Sequence, residues 1–203
     1  YKWSSSETTL PANETKKEFD KKPVLERFDH QLKISGLKTF HTLKPDFSWG
    51  CSNIDKLISK YNLSDYILLF PFCSEHLQQK KWPYYDQLIK LIKQNYPNLK
   101  IVIAPGPDEI EKAKKLDAVS ILKEDKAISI SELAGLIKRS KFVVANDTGP
   151  AHMAAHLNVK GLSLFGSHTT AYKVSIEREN FKAIQVSDLK NLSAQKVFER
   201  LAL

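Results

Sequence analysis

The sequence predicts an α/β protein: a Rossmann-like parallel sheet with helices on both faces. Three observations carry that prediction. From Tyr66 onward, short continuously apolar runs alternate with runs of helical periodicity, and strands covered on both faces read as unbroken apolar stretches. The apolar runs stop at loops rich in Gly, Pro, Ser and His. The third is Lys141 to His156, KFVVANDTGPAHMAAH, which reads as a buried strand turning into a helix at Pro150, where the missing N–H costs nothing.

Taken in order, Tyr66 to Phe70 is the first strand, stopped by Pro71. A polar loop, Cys73 to Lys81, leads through Trp82-Pro83 to a helix from Tyr84 to Asn95, with Tyr85, Leu88, Ile89, Ile92 and Tyr96 at helical spacing. Lys100 to Ala104 is the second strand, followed by Pro105-Gly106-Pro107 and a charged helix from Asp108 to Leu116. Val119 to Leu122 is a short strand. Ser129 with Glu132 forms a capping box for a helix from Ser131 to Arg139. Phe142 to Ala145 and Gly161 to Phe165 are further strands, and Ala183 to Val186 is the last. Ser193 caps a closing helix to Leu201.

Residues 1–64 are less regular. YKWSSSETTLPANETKKEFDKK is polar and mixed in charge, the composition of a flexible arm. Val24 to Leu32 has the spacing of a short helix that Gly36 ends, Leu37 to Trp49 reads as extended, and Ile54 to Tyr61 as another short helix. So long a weakly structured preface is unusual in a single domain. It is expected to be a polar arm and interdomain segment, a remnant of an N-terminal domain that the chain lacks.

Composition narrows the function classes. Hydrophobic content of 42% with 27% charged residues is that of a soluble globular chain. No apolar run reaches membrane-spanning length and no secretory signal opens the chain. The chain starts at Tyr1 rather than Met, so the natural start is expected elsewhere. Two cysteines, Cys51 and Cys73, suggest neither a disulfide framework nor a metal cluster, which favours a reducing cytoplasm. A net charge of +8 favours an anionic partner: a nucleotide phosphate, an acidic membrane surface or a nucleic acid. Lysines such as Lys112, Lys114 and Lys115, on a helix face, are equally explained by solvation.

The chemistry-bearing loops follow strands, on what should be one edge of the sheet. Asp147, Thr148 and Gly149 lie where open α/β sheets bind ligands and where helix starts attract phosphate. Asp147 would repel a phosphate unless it orients other donors. An ordinary strand-to-helix turn with Asp or Thr as N-cap fits the turn equally well. His152 and His156, spaced i, i+4 on one face, tip the balance toward a site, though no carboxylate or Cys completes a zinc set. Lys80 and Lys81, in the loop that begins Ser74-Glu75-His76, reach for a phosphate or stand on the surface. Glu109, in Gly106-Pro107-Asp108-Glu109, suits ribose hydroxyls or an ordinary first helical turn. Gly166 to Thr170 offers hydroxyls and N–H groups. There is no GxGxxG, no GxxxxGK[ST] and no GxSxG, which argues against a P-loop ATPase and leaves a hydrolase triad unsupported.

These loops resemble a family. NDTGPAHMAAHLNVKGLSLFGSHTT is similar to the pattern D-T-G-x-x-H-x-A-A, strand, F-G-x-x-T of the family 9 glycosyltransferases, the ADP-heptose:lipopolysaccharide heptosyltransferases. Phe72-Cys73-Ser74 leading to Lys80-Lys81-Trp82-Pro83 resembles the family's P-G-x-S…K-x-W-P, and Gly106-Pro107-Asp108-Glu109 its G-G-P-x-E. The match runs from about Tyr66 to Val186, and Val24 to Trp49 resembles the interdomain segment. Phe72 departs from the pattern, where a small residue or glycine is usual.

The resemblance implies the C-terminal, donor-binding half of a GT-B enzyme, with residues 65–203 as its Rossmann-like nucleotide-sugar-binding domain. It implies inverting transfer without metal or other cofactor, the donor being a nucleotide-diphosphate sugar such as ADP-heptose and the acceptor a lipopolysaccharide-type glycolipid. By position, Lys80, Asp147 and His152 would be catalytic. Ser74, Lys80, Glu109, Asp147, Thr148, Gly149, His152, Met153 and Thr169 would bind donor: Lys80 the diphosphate, Glu109 the ribose, Met153 the base pocket, Thr169 the outer wall. No nucleic acid is implied, and the implied place is the cytoplasm, at the inner face of a bacterial inner membrane with peripheral contact. The family's catalytic base lies in the first domain, so this chain alone is expected to bind donor without transferring sugar. A sugar-nucleotide epimerase of GT-B type and a non-catalytic interaction module stay open as alternatives.

Overall fold

The structure, a computed structural model, describes residues 9–201 and 203. Its leading segment holds α1 (Lys16–Phe19), α2 (Val24–Ile34) and α3 (Asp55–Tyr61). Then come β1 (Tyr66–Phe70), α4 (Tyr85–Asn95), β2 (Lys100–Ile103), α5 (Ile110–Ala113), β3 (Val119–Ser120) and α6 (Ile130–Arg139). β4 (Phe142–Asn146), α7 (Gly149–His156), β5 (Gly161–Phe165), β6 (Phe181–Gln185) and α8 (Ala194–Phe198) complete the chain.

The six strands form one sheet in the order β3-β2-β1-β4-β5-β6, every neighbouring pair parallel. β1 and β5 have the limits the sequence predicts. Side chains of β1 alternate between two cores. Tyr66, Leu68 and Phe70 join α3, α6 and α7 on one face, while Ile67 and Leu69 join α4, α5 and α8 on the other. β1 is thus buried and apolar throughout because both of its faces are covered. Among the described residues no helix is long and apolar enough to cross a membrane.

The chain runs outward from the centre of the sheet in two directions, from β1 through β2 to β3 and from β4 through β5 to β6. The strand order therefore reverses between β1 and β4, and the crevice outside their carboxyl ends is where such sheets take ligands. Asn146, completely buried at the end of β4, ties that crevice together. Its side-chain oxygen accepts hydrogen bonds from the Trp82 backbone N–H at 3.1 Å and the Tyr85 hydroxyl at 3.4 Å, and its amide donates to the Phe72 carbonyl at 3.5 Å.

Several expectations are corrected. Residues 9–22 are not all arm: Thr15 and Glu18 form a capping box over α1, whose Phe19 is buried; the start of the predicted arm, residues 1–8, lies outside the described residues. Leu37 to Trp49, expected to be extended, instead bends and turns around residues 40–44 and closes in a 3₁₀ turn at Ser48–Gly50. The helix expected from Asp108 to Leu116 shrinks to α5 behind a 3₁₀ turn at Pro107–Glu109, because only Ala113 of its four residues is buried. Residues 54–63, grouped with the preface in the sequence, are part of the core: Ile54, Leu57 and Leu63 pack with Tyr66 and Leu68.

Gly161 marks the tightest place in the sheet. A Cβ there would lie 2.7 Å from both the Phe181 ring and the Val143 carbonyl. The carbonyl belongs to the central strand β4, so it cannot retreat without disturbing the β4–β5 pairing. Gly161→Ala is expected to destabilise by about 1–3 kcal/mol, in the range of an overpacked core, read as a lowered urea midpoint at unchanged slope. A midpoint equal to wild type would contradict this packing.

Candidate functional site

Asp147 is the centre of the site. It follows β4 directly, is 4% exposed, and is surrounded by donors from two loops and a helix. The Lys80 ammonium, at the end of the β1–α4 loop, lies 2.7 Å from Oδ2. His168 Nε2, from the loop after β5, lies 3.0 Å from the same oxygen. His152 Nε2, from the first turns of α7, lies 3.4 Å from Oδ1. Burial alone would raise the Asp147 pKa, but the hydrogen bonds from His152, Lys80 and His168 outweigh it and hold the carboxyl well below the usual carboxylate range. Asp147 is therefore an anion that orients the donors around it, the condition on which the sequence admits a carboxylate in a phosphate loop.

Thr148 stands at the N-cap of α7, yet its hydroxyl donates back to the Asn146 carbonyl at 3.3 Å and caps no helical N–H. Both simple capping roles therefore fail, Asp147 being engaged with Lys80 and the histidines. The start of α7 thus keeps its N–H groups and its positive dipole end uncapped by any side chain, and a helix start in that state favours an anion. Gly149 contributes space, for a Cβ there would meet nothing within 4 Å.

Beside this cluster opens a cavity of about 550 Å³. Ser74, Gly106, Glu109, Thr148 and Gly149 line its polar side, and Phe72, Pro105, Ile128 and Leu133 its apolar side. Its size suits a small-molecule ligand with one flat apolar part. Glu109 is already half engaged, since its Oε2 accepts the Gly106 N–H at 2.8 Å. A second hollow, of about 380 Å³, lies across α7, between His152, His156, Thr169 and the α2 residues Val24, Leu25 and Arg27.

The structure thus gathers Lys80, Asp147 and His152 in one cluster and Ser74, Glu109, Thr148 and Gly149 around one cavity, all on the carboxyl edge of the sheet. Thr169 lines the second hollow instead. Met153 lines neither; it packs against the core on the α6–α7 side, so its assignment to a base pocket has no support in the geometry. His168 carries a contact shorter than that of His152, 3.0 against 3.4 Å, yet nothing in its own stretch marks it beyond a ring nitrogen in a loop of hydroxyl residues. Helix α2 is the other unexpected participant, signalled in the sequence only by helical periodicity and by the resemblance of Val24 to Trp49 to an interdomain segment.

Residues 4–201 match the family model described as glycosyltransferase family 9 (heptosyltransferase). The chain belongs to that family. Among curated family 9 relatives, lipopolysaccharide heptosyltransferase 1 of Campylobacter coli is 29% identical over 114 residues, which is 52% of this chain and 33% of the relative. Among solved structures, E. coli heptosyltransferase WaaC with ADP-2-deoxy-2-fluoro heptose superposes with a TM-score of 0.63 at 22% identity, covering 86% of this chain and 53% of that one. E. coli ADP-heptose lps heptosyltransferase II gives 0.61 at 19% identity, over 80% of this chain and 51% of that one. At those identities the two structures speak for the shared fold. This family 9 chain spans about half the length of the solved relatives and a third of the curated one.

Proposed function

We propose that this chain is the donor-binding half of a glycosyltransferase that moves a sugar, heptose by family, from a nucleotide diphosphate to a lipopolysaccharide-type acceptor. The observation that carries the reading is the ionised, buried Asp147 holding Lys80, His152 and His168 at an uncapped helix start, beside a cavity of nucleoside size. An oriented ammonium and a helix N-terminus are what a departing diphosphate needs. That the family's WaaC was solved with an ADP-heptose analogue agrees with an adenine nucleotide as the donor carrier.

In the transfer step the acceptor hydroxyl oxygen attacks the anomeric carbon from the face opposite the diphosphate. The carbon–oxygen bond to phosphate breaks, the nucleoside diphosphate leaves with the electron pair, and the configuration inverts. Lys80 and the start of α7 stabilise the growing negative charge without a metal. The acceptor proton goes to a base on the acceptor-binding domain, so this half alone binds donor and transfers nothing. The place of action is the cytoplasmic face of a membrane, reached through peripheral contact with the glycolipid.

Calorimetric titration of ADP, UDP and GDP tests the reading. ADP is expected to bind in the micromolar to millimolar range. Lys80→Ala should weaken it about tenfold or more, as loss of a charge-assisted phosphate contact does, and Asp147→Ala at least as much, since Lys80 then loses its orientation. If no nucleotide binds, the chain is an interaction module in which the Asp-Thr-Gly turn is structural. Tighter binding of UDP than ADP would turn the donor assignment instead.

A further inference from the structure

We infer that His168 is a positioning residue which stays on Asp147 when donor arrives, so that Lys80, the exchangeable partner of the same carboxylate oxygen, can transfer its ammonium to the diphosphate. The inference rests on the donor-binding reading above and adds to it a division of labour among the three donors.

Two of them converge on one oxygen. Lys80 and His168 both point at Asp147 Oδ2, 2.7 and 3.0 Å away, while His152 faces Oδ1. Their settings differ. Lys80 is the more exposed of the pair, its side chain 23% accessible on a flexible four-carbon stem. His168 is 8% accessible, stacked on the Phe165 ring with centroids 6.0 Å apart and planes 12° from parallel. The imidazole therefore has no freedom to follow a ligand, and the ammonium does.

The hydrogen-bond inventory agrees. An ionised carboxylate only accepts, so His168 Nε2 must carry the proton of the shared contact. His168 Nδ1 is buried and has no partner among the described residues, so a proton there would be an unsatisfied buried donor. The imidazole is thus held as an Nε2–H donor aimed at Asp147. Departure of Lys80 without such a resident would leave a 4% exposed carboxylate with only the longer His152 contact, a costly state. His168 lowers the cost of releasing Lys80 and thereby favours donor binding without touching the donor.

A double-mutant cycle on ADP affinity separates this from a packing role. His168→Phe keeps the ring on Phe165 and removes the N–H, and His168→Gln restores a donor on a flexible chain. In the wild-type background His168→Phe should weaken ADP about tenfold, the worth of one hydrogen bond to a charged group. In a Lys80→Ala background, with no ammonium to release, the same change should cost no more than about twofold, the two sites being coupled. His168→Gln should recover most of the loss. An equal loss in both backgrounds, or no rescue by Gln, would show that His168 only shapes the loop and would overturn the inference. Absence of ADP binding by wild type, or indifference to Lys80→Ala alone, would instead count against the donor-binding reading itself.

Discussion

Trp82→Ala is expected to lower stability by about 3–5 kcal/mol, the range for removing a fully buried large aromatic residue, and to abolish nucleotide binding at ambient temperature. The indole has no accessible surface and sits edge-on to Tyr85 and Tyr84, with ring centroids 4.9 and 6.0 Å away. Its Nε1–H donates to the Leu192 carbonyl at 2.7 Å, joining the β1–α4 loop to the segment ahead of α8. Alanine leaves both a cavity and an acceptor without its donor. The functional consequence comes through the backbone, because the Trp82 N–H is the group that fixes Asn146, next to Asp147, and Lys80 is two residues away. Trp82→Phe, which keeps most of the volume but not the N–H, should lose clearly less. Urea unfolding followed by far-ultraviolet circular dichroism measures both. A Trp82→Ala protein within about 1 kcal/mol of wild type would mean that the loop is anchored elsewhere.

The second large effect is acid lability centred on His156. Burial, the Arg178 guanidinium 3.2 Å from Nδ1 and nearby His152 together push its pKa from the ordinary 6.5 down to about 4. The unfolded chain therefore takes up this proton first. The stabilisation is complete above pH 6.5 and is lost as pH falls toward 4. A half-buried imidazole shifted this far should contribute about 2 kcal/mol after allowance for solvent screening. Urea midpoints at about pH 7.5 and about pH 4.5 should differ markedly for wild type and much less for His156→Gln, which offers Arg178 a neutral acceptor and takes up no proton. Parallel losses in the two proteins would place the acid sensitivity in other groups.

The fold was legible because its strands are short apolar runs between helices of clear periodicity. What chain-local pattern could not supply was long-range. Leu37 to Trp49 has the composition of an extended segment, but whether it becomes a strand depends on a partner edge, and pairing is not written in the segment itself. Thr15 and Glu18 carry a capping-box signal, masked by the polar residues around it. Residues 108–116 are charged enough to be a helix surface but lack the apolar face to hold more than one turn.

The site divides the same way. Asp147, Lys80 and His152 were readable because each lies in a stretch whose loop chemistry is unusual. His168 was not, since a histidine becomes a carboxylate partner only when the β4 and β5 ends lie side by side, as Asn146 opposite Leu164 now shows. Met153 illustrates the converse failure. The family resemblance assigned it by position to a base pocket, but α7 buries Ala151, Ala154 and Ala155 and packs Met153 with them, and a positional match does not say which side of a short helix looks outward.

Helix α2 begins by hanging two of its N–H groups on the loop after β5: Val24 on the Lys173 carbonyl at 2.8 Å and Leu25 on the Ser175 hydroxyl at 3.4 Å. That loop is the one that also carries His168 and Thr169. One strap thus fastens a helix at its far end and grips a carboxylate at its near end. The leading segment and the carboxylate cluster are thereby moored to the same stretch of chain, seven residues or fewer apart.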